Sequence, residues 1–186
     1  MRYRFIKLRI GNTLAVVVGL AIIAGMMSGC ASPATSGGMM PKALKIEKRY
    51  PYSVKIKVVG GRATGAMDAS QISNESFAQA IADSITQSKL FSEVTQSQRA
   101  DYLLNVEIIS VEQPVLGLNM TVRMEVGWEL IKAEAGKPLL RESIVSSYTA
   151  TAGDAFAGVT RCKLATEGAA RKNIEQGITK ISLLAL

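Results

Sequence analysis

One stretch of the chain alternates apolar side chains with small or charged ones over consecutive positions. Apolar residues occupy every second position from Val122 to Leu130, including Trp128, and the positions between them carry glycine or a charged residue. Successive side chains of a β-strand point to opposite faces of the sheet, so this period of two predicts a strand with one buried face. Such a strand needs neighbours to pair with and a layer to cover its apolar face. We therefore expect a sheet with a one-sided core, and Trp128 inside that core.

Similar runs elsewhere in the chain supply the neighbouring strands. Gly136 and Pro138 turn the chain after the strand that contains Trp128. Residues 140–151 are therefore expected to return antiparallel to that strand as a long hairpin. Shorter apolar runs predict further strands at residues 52–59, 91–94 and 102–111. The strand at residues 91–94 is short and is expected at an edge of the sheet.

Two amphipathic helices are predicted to form the covering layer. The first spans residues 74–89, where Ser73 is a good N-cap and apolar residues recur every four positions. The second follows Gly153 and has Cys162 among its apolar positions, so Cys162 is expected to be buried. The order of elements predicts an α+β fold, with an antiparallel sheet of about four strands and two helices packed on one face.

The N-terminus carries the features of a secretory signal. Four basic residues lie within the first nine positions, and an apolar stretch from Leu14 to Met27 follows. This stretch has about 14 residues, whereas a helix needs about 20 to cross the hydrocarbon core of a bilayer. A removable signal peptide over residues 1–29 is therefore favoured over a short membrane helix with an incidental cysteine.

The end of this signal resembles the bacterial lipobox. In Met27-Ser28-Gly29-Cys30, an apolar residue and two small residues precede a cysteine. The resemblance implies that the Cys30 thiol receives diacylglycerol, that the signal is cut just before Cys30 and that the new amine is acylated. Several acyl chains on one residue would hold the protein on a membrane without a spanning segment. Lipoproteins retained on the inner membrane typically carry aspartate next, whereas this chain has Ala31, which implies the outer membrane and a periplasm-facing domain.

The rest of the chain is expected to form a tether and one domain. Residues 30–50 begin with small residues, Pro33 and two adjacent glycines, which predicts a flexible tether after the lipidated cysteine. Residues 51–186 are long enough for a single α+β domain with its own core.

Charge and composition exclude several classes of function. Removing the signal takes away four of the 22 basic residues and leaves 18 against 15 acidic residues, a net charge of +3. Basic residues are not clustered with aromatic ones, so nucleic acid is not an expected partner. The chain has no histidine, which removes the usual general base and the commonest zinc ligand. We expect no enzymatic activity, no metal and no cofactor, and glycan chemistry by carboxylates such as Glu125 and Glu129 is a remote alternative.

Two sets of residues are candidates for contacts with other molecules. Val115, Leu116 and Leu118 are apolar residues in a loop, and they either fold over the edge of the core or form an exposed surface for an envelope protein. This set favours an accessory or binding domain of an envelope assembly or transport system. Tyr102 and Tyr148 are the aromatic candidates for ligand contact, and they favour the alternative of a binder of peptidoglycan, lipid or lipopolysaccharide.

The domain also resembles a group of small envelope proteins. Three segments carry the resemblance: SFAQAIADSITQSKLFSEV at 76–94, ADYLLNVEI at 100–108 and GAARKNIEQGI at 168–178. They are similar to segments of the YajG-like lipoproteins and, more distantly, of auxiliary lipoproteins of transport systems. The resemblance implies the same order of strand, helix, meander and long final helix. No catalytic motif defines these families, so no functional residue is carried over from them.

Overall fold

The computed structural model describes residues 32–65 and 68–186, which contain three helices and five strands. Their order along the chain is α1 (Ser36–Met39), β1 (Tyr50–Val59), α2 (Asn74–Ser88), β2 (Phe91–Val94), β3 (Tyr102–Glu112), β4 (Met120–Lys132), β5 (Pro138–Ala150) and α3 (Gly158–Ser182). The strands and the two long helices lie where the alternating and amphipathic patterns predict them.

The described strands form one sheet in the order β2-β1-β3-β4-β5. β3, β4 and β5 pair antiparallel to one another, and Trp128 of β4 lies opposite Val106 of β3 and Glu142 of β5. The predicted hairpin of β4 and β5 is therefore confirmed. β2 lies at the edge of the sheet, as its short apolar run predicts.

The direction of β1 differs from the predicted antiparallel arrangement. β1 pairs in parallel with β2 on one side and with β3 on the other, so the described part of the chain forms a mixed sheet of five strands rather than an antiparallel one of about four. The physical reason is α2, which follows β1 and carries the chain back along the sheet. A strand that follows such a helical crossover runs in the same direction as the strand before it.

The core lies between the sheet and the helices α2 and α3, which pack on one of its faces. The alternate residues of β4 from Val122 to Leu130 are all buried, and Trp128 is 1% exposed, as the sequence predicts. α3 approaches β4 closely because Gly177 lies against the indole ring, where a Cβ would come 2.5 Å from Cε2. The indole N–H donates to Asn173 Oδ1 (2.9 Å), so the polar group of the buried ring is satisfied.

Part of the segment predicted to be a flexible tether is packed against the helices. Ala34 and Met39 are 2% and 0% exposed, and α1 lies against both α2 and α3. Thr35 donates to the Glu167 carboxylate of α3 through its backbone N–H (2.9 Å) and its hydroxyl (2.8 Å). The sequence predicts a flexible tether over residues 30–50; within it, the structure has residues 34–39 packed against α2 and α3, with Met39 fully buried.

Candidate functional site

The loop between β3 and β4 carries three highly exposed apolar side chains. Val115, Leu116 and Leu118 are 92%, 87% and 78% exposed. Of the two arrangements that the sequence left open for these residues, the structure has them standing free of the core rather than folded over its edge. We call these three residues the apolar lip.

A buried arginine joins the lip to the loop that precedes α3. Arg161 is 8% exposed, and its Nη1 donates to the carbonyls of Ala155 (2.9 Å) and Phe156 (2.6 Å). Its Nη2 donates to the carbonyl of Gly117 within the lip loop (3.2 Å). Because one guanidinium binds both loops, they are held side by side. The arginine thus places the backbone of Phe156 beside the lip loop, and the ring of Phe156 is fully exposed.

A cavity of about 600 Å³ lies beneath the lip. Its walls are mainly apolar and include Met120, Val159 and Cys162 together with two of the lip residues. Ser70 also lines it and is 3% exposed, and its hydroxyl has no hydrogen-bond partner in the part of the chain that the structure describes. Buried polar groups without a partner are rare, so the cavity combines apolar walls with one unsatisfied hydroxyl.

The free cysteine of the domain borders this cavity. Cys162 is buried, which confirms the prediction from its place on the apolar side of the helix. Burial raises the pKa of its thiol. The thiol therefore stays protonated at neutral pH, and a protonated thiol is a poor nucleophile.

The two tyrosines considered as ligand contacts lie in different surroundings. Tyr102 is 2% exposed, and its ring packs against Tyr52 (5.3 Å between centroids) and Phe91 (6.0 Å). Tyr148 is half-buried beneath α3, where Gly168 leaves room for its ring. Tyr102 belongs to an aromatic cluster of the core and offers no exposed ring to a ligand.

The outward carboxylates of β4 are held by side chains of neighbouring strands. Glu129 accepts hydrogen bonds from Asn105 (3.1 Å) and from Nε of Arg141 (2.9 Å), and these bonds lower the pKa of its carboxyl. Glu125 accepts a hydrogen bond from the Ser143 hydroxyl (2.6 Å). A general acid for glycan cleavage needs a raised pKa, so the surroundings of Glu129 do not suit that role.

The predicted lipidation site, Cys30, and the signal peptide lie outside the described residues. No helix in residues 32–65 or 68–186 combines the length and the apolar character needed to cross a membrane. The same residues contain no group of three or more histidine, cysteine, aspartate or glutamate side chains placed to hold a metal ion.

The sequence indicates the lip itself but not the residues that support it. Arg161 is one of the charged residues in the pattern of α3, and its burial depends on two loops that are distant in sequence. Phe156 carries a recognisable signal, because it is a single aromatic residue in a loop between Gly153 and Gly158. Ser70 carries no such signal.

Fold and surface together define a class: a small α+β domain with a mixed sheet, helices on one face and an exposed apolar lip at one end. No family model and no curated protein matches the sequence. Among solved structures, the chain is similar to protein XCC0632 from Xanthomonas campestris, with a TM-score of 0.58 and 11% identity, over 82% of this chain and 93% of that one.

Two further solved structures are similar. The hypothetical protein CT253 from Chlamydia trachomatis has a TM-score of 0.55 and 9% identity, over 72% of this chain and 96% of that one. A minor lipoprotein from Acinetobacter baumannii has a TM-score of 0.49 and 10% identity, over 72% of this chain and 92% of that one. The likeness to XCC0632 and CT253 shows a shared fold, and at these identities it shows the fold alone.

Proposed function

We propose that this chain is a non-enzymatic lipoprotein of the bacterial outer membrane, with a periplasm-facing domain that serves as an accessory or binding subunit of an envelope assembly or transport system. Cys30 carries the lipid, and the apolar lip is the surface through which the domain contacts another component of the envelope. The observation that carries the proposal is the lip itself, whose three side chains are more than three-quarters exposed above an apolar cavity. Contiguous apolar surface of this kind marks contact sites on folded proteins.

The sequence before Cys30 supports the lipid anchor. A basic start, an apolar stretch too short to span a bilayer and the residues Met27-Ser28-Gly29-Cys30 follow one another as in a lipoprotein signal. The acyl chains on one cysteine are sufficient to keep a domain of this size on a membrane.

Three observations support binding rather than catalysis. The chain has no histidine, the thiol of Cys162 is kept protonated by burial, and Glu129 is held in its charged form by its neighbours. Each of these removes a group that common hydrolytic or nucleophilic mechanisms require.

A lipid-binding role is a second candidate, and the cavity favours it. Its apolar walls suit an acyl chain better than a sugar, because sugar binding uses aromatic rings and none of the residues that line the cavity is aromatic. Lipid is therefore favoured over peptidoglycan and lipopolysaccharide sugar as the alternative ligand.

Mass spectrometry of the mature protein tests the anchor. We expect an N-terminal residue 30 carrying diacylglycerol and an amide-linked acyl chain. Cys30→Ser should abolish the modification, whereas Cys162→Ser, the matched control at the other cysteine, should keep it. An uncleaved leader or a free thiol at residue 30 in the wild-type protein would contradict the proposal.

Photo-crosslinking in cells tests the lip. A photoreactive amino acid at Leu116 should yield a defined product with an envelope protein or a phospholipid. Leu183 follows the end of α3 and is 80% exposed, so the same amino acid there is a control of similar accessibility. The same unselective products from both positions would argue against the lip as a contact surface.

A further inference from the structure

The lip lies at the end of the domain where the N-terminal segment enters it. β3 ends and β4 begins at the lip, and β1, which is parallel to β3, ends on the same side. α2 begins beside the end of β1, because the Gly61 N–H donates to Asn74 Oδ1 (2.8 Å). α3 begins shortly after β5, so both long helices start at this end. The N-terminal segment joins the domain here, because the Ala34 N–H donates to the carbonyl of Gln71 (3.1 Å), just before α2.

Hydrogen bonds connect this entry point to the lip. Gln71 Nε2 donates to Gln113 Oε1 (3.4 Å), and Gln113 Nε2 donates in turn to the carbonyl of Ser70 (2.5 Å). Val115 follows Gln113 by two residues, which is at most about 7 Å of extended chain. The lip therefore stands beside the point at which the chain continues towards Cys30.

The chain between the lipidation site and the domain is short. Cys30 precedes Ala34 by four residues, so their Cα atoms are at most about 14 Å apart. Ala34 is 2% exposed and hydrogen-bonded, which fixes the far end of this connection. If Cys30 carries acyl chains, as the proposed function holds, this end of the domain is kept close to the lipid headgroups.

Exposed apolar side chains concentrate at the same end. Phe156 is fully exposed and the three lip residues are more than three-quarters exposed. Among the described residues, Leu183 is the one other large apolar side chain exposed to that extent. It follows the 25-residue helix α3, whose length of about 37 Å separates it from the lip end. Phenylalanine and leucine at such positions are typical of surfaces that bury themselves at the boundary of headgroups and acyl chains.

Two carboxylates beside the lip accept hydrogen bonds from residues of their own loops. Asp154 accepts hydrogen bonds from the N–H (2.7 Å) and the hydroxyl (2.9 Å) of Thr151. Asp68 accepts a hydrogen bond from the N–H of Gly65 (3.1 Å). Asp68 lines the cavity beneath the lip together with Val115 and Leu116, and its carboxylate is hydrogen-bonded within its own loop.

We propose that the apolar lip and Phe156 insert into the membrane leaflet that holds the acyl chains of Cys30. The domain then docks on the bilayer by its lip end instead of hanging from a flexible tether. This inference rests on the proposed lipidation, and it names the lipid bilayer as the component that the lip contacts. The uncovered face of the sheet and the opposite end of α3 remain available to the periplasm.

Tryptophan fluorescence in vesicles tests the docking. The mature, lipidated protein is reconstituted into phosphatidylethanolamine–phosphatidylglycerol vesicles, with and without brominated acyl chains that quench tryptophan on contact. Leu116→Trp places a probe in the lip, and Leu183→Trp places one at a similarly exposed position beyond the other end of α3. The native Trp128 is 1% exposed and gives the same background in both variants.

We expect brominated lipid to quench the emission of Leu116→Trp and to leave that of Leu183→Trp unchanged, with a shift of the Leu116→Trp emission to shorter wavelength. Anchored protein in which the two probes are quenched equally, or in which Leu116→Trp is not quenched, would overturn the docking and leave the lip to a protein partner. Protein that lacks acyl chains and does not float with the vesicles would overturn the anchor and the docking together. Flotation of each sample therefore distinguishes failure of this inference from failure of the proposed function.

Discussion

Asp101 and Ser53 join the two parallel strands β1 and β3 where β3 begins. The Asp101 carboxylate accepts hydrogen bonds from the hydroxyl (2.6 Å) and the N–H (2.7 Å) of Ser53, and the Ser53 hydroxyl accepts one from the Asp101 N–H (3.1 Å). The bonds from the hydroxyl and then from the N–H of Ser53 lower the pKa of the carboxyl. The charged carboxylate of Asp101 therefore supports the parallel pairing of β1 with β3, which the sequence pattern did not predict.

The stability contributed by Asp101 should depend on pH in one direction. Because the pKa is lower in the folded state, the contribution is complete above the ordinary aspartate value of 3.8 and is lost as the pH falls below it. We expect Asp101→Asn to unfold at a lower urea concentration than the wild type at pH 7, and the difference to shrink at pH 3.

The matched control for this measurement is Asp83→Asn, since Asp83 accepts a hydrogen bond from Gln79 on its own helix and joins no strands. It should change the urea midpoint less than Asp101→Asn at pH 7. A difference between wild type and Asp101→Asn that is the same at both pH values would show that the charge of Asp101 does not contribute.

At the scale of elements, the short helix α1 is held on α3 by a carboxylate. Glu167 is 5% exposed and receives both hydrogen bonds from Thr35, while Lys163 lies 3.9 Å from its Oε1. Gly38 lies directly over this carboxylate, because a Cβ at residue 38 would overlap it. The small residues of the segment therefore serve close packing, although the same composition is typical of a flexible linker.

Adding one methyl group should distinguish the two glycines of α1. In Gly38→Ala the new Cβ pushes the Glu167 carboxylate away from Thr35. A hydrogen bond to a charged group contributes about 1.5–3 kcal/mol, so we expect the loss of at least one of the two bonds to cost about 1.5–3 kcal/mol. At Gly37 no described atom lies within 4 Å of the added Cβ, and Gly37→Ala is the matched control.

Urea unfolding and hydrogen exchange of residues 34–39 measure the effect of these two changes. Gly38→Ala should exchange faster over the segment, and Gly37→Ala should not. Equal exchange in both variants would mean that the contact between α1 and Glu167 does not hold the segment in place.

For the whole molecule, the close approach of α3 to the sheet decides how the two layers join. Asn173 of α3 accepts from the Trp128 indole (2.9 Å) and donates to the carbonyl of Ile144 (2.8 Å), and the Ser146 hydroxyl donates to the carbonyl of Ala169 (2.9 Å). These bonds cross the core between β4, β5 and α3. They form only because α3 has glycine where it meets the large rings of the sheet.

Replacing that glycine should weaken the junction of the layers. Gly177→Ala places a Cβ 2.5 Å from the rigid indole of Trp128. Overpacking of this kind costs about 1–3 kcal/mol, whereas replacing glycine by alanine in a helix gains about 1 kcal/mol. In the upper part of that range the overpacking cost exceeds the gain, and the variant is less stable. Gly158→Ala is the control, because its Cβ would lie 3.5 Å from Met120, an ordinary contact distance.

The free energy of unfolding and the emission of Trp128 measure this effect. We expect Gly177→Ala to be the less stable of the two variants and to have a changed indole environment. A Gly177→Ala protein as stable as Gly158→Ala would show that the helix can move away from the sheet without loss.

Local patterns in the sequence were sufficient to predict the five strands and the two long helices, but not the short helix α1. The alternation from Val122 to Leu130 predicted β4 and the burial of Trp128, and Ser73 predicted the start of α2, where its hydroxyl accepts from the Ser76 N–H (3.1 Å). The apolar loop with Leu116 was also visible as an unusual segment. These features depend on side chains that are neighbours along the chain, so periodicity and capping chemistry are enough to predict them.

The tertiary structure alone decided the direction of β1, the packing of residues 34–39 and the grouping of Phe156 with the lip at the end where Ala34 enters. Each of these joins residues that are far apart in sequence: β1 pairs with β3 across α2, Thr35 meets Glu167, and Arg161 connects two separate loops. Composition and periodicity describe only neighbouring residues, whereas these contacts depend on how every element packs on the others. The exposure of the lip also depends on the whole fold, because a side chain is exposed only where no other part of the molecule covers it.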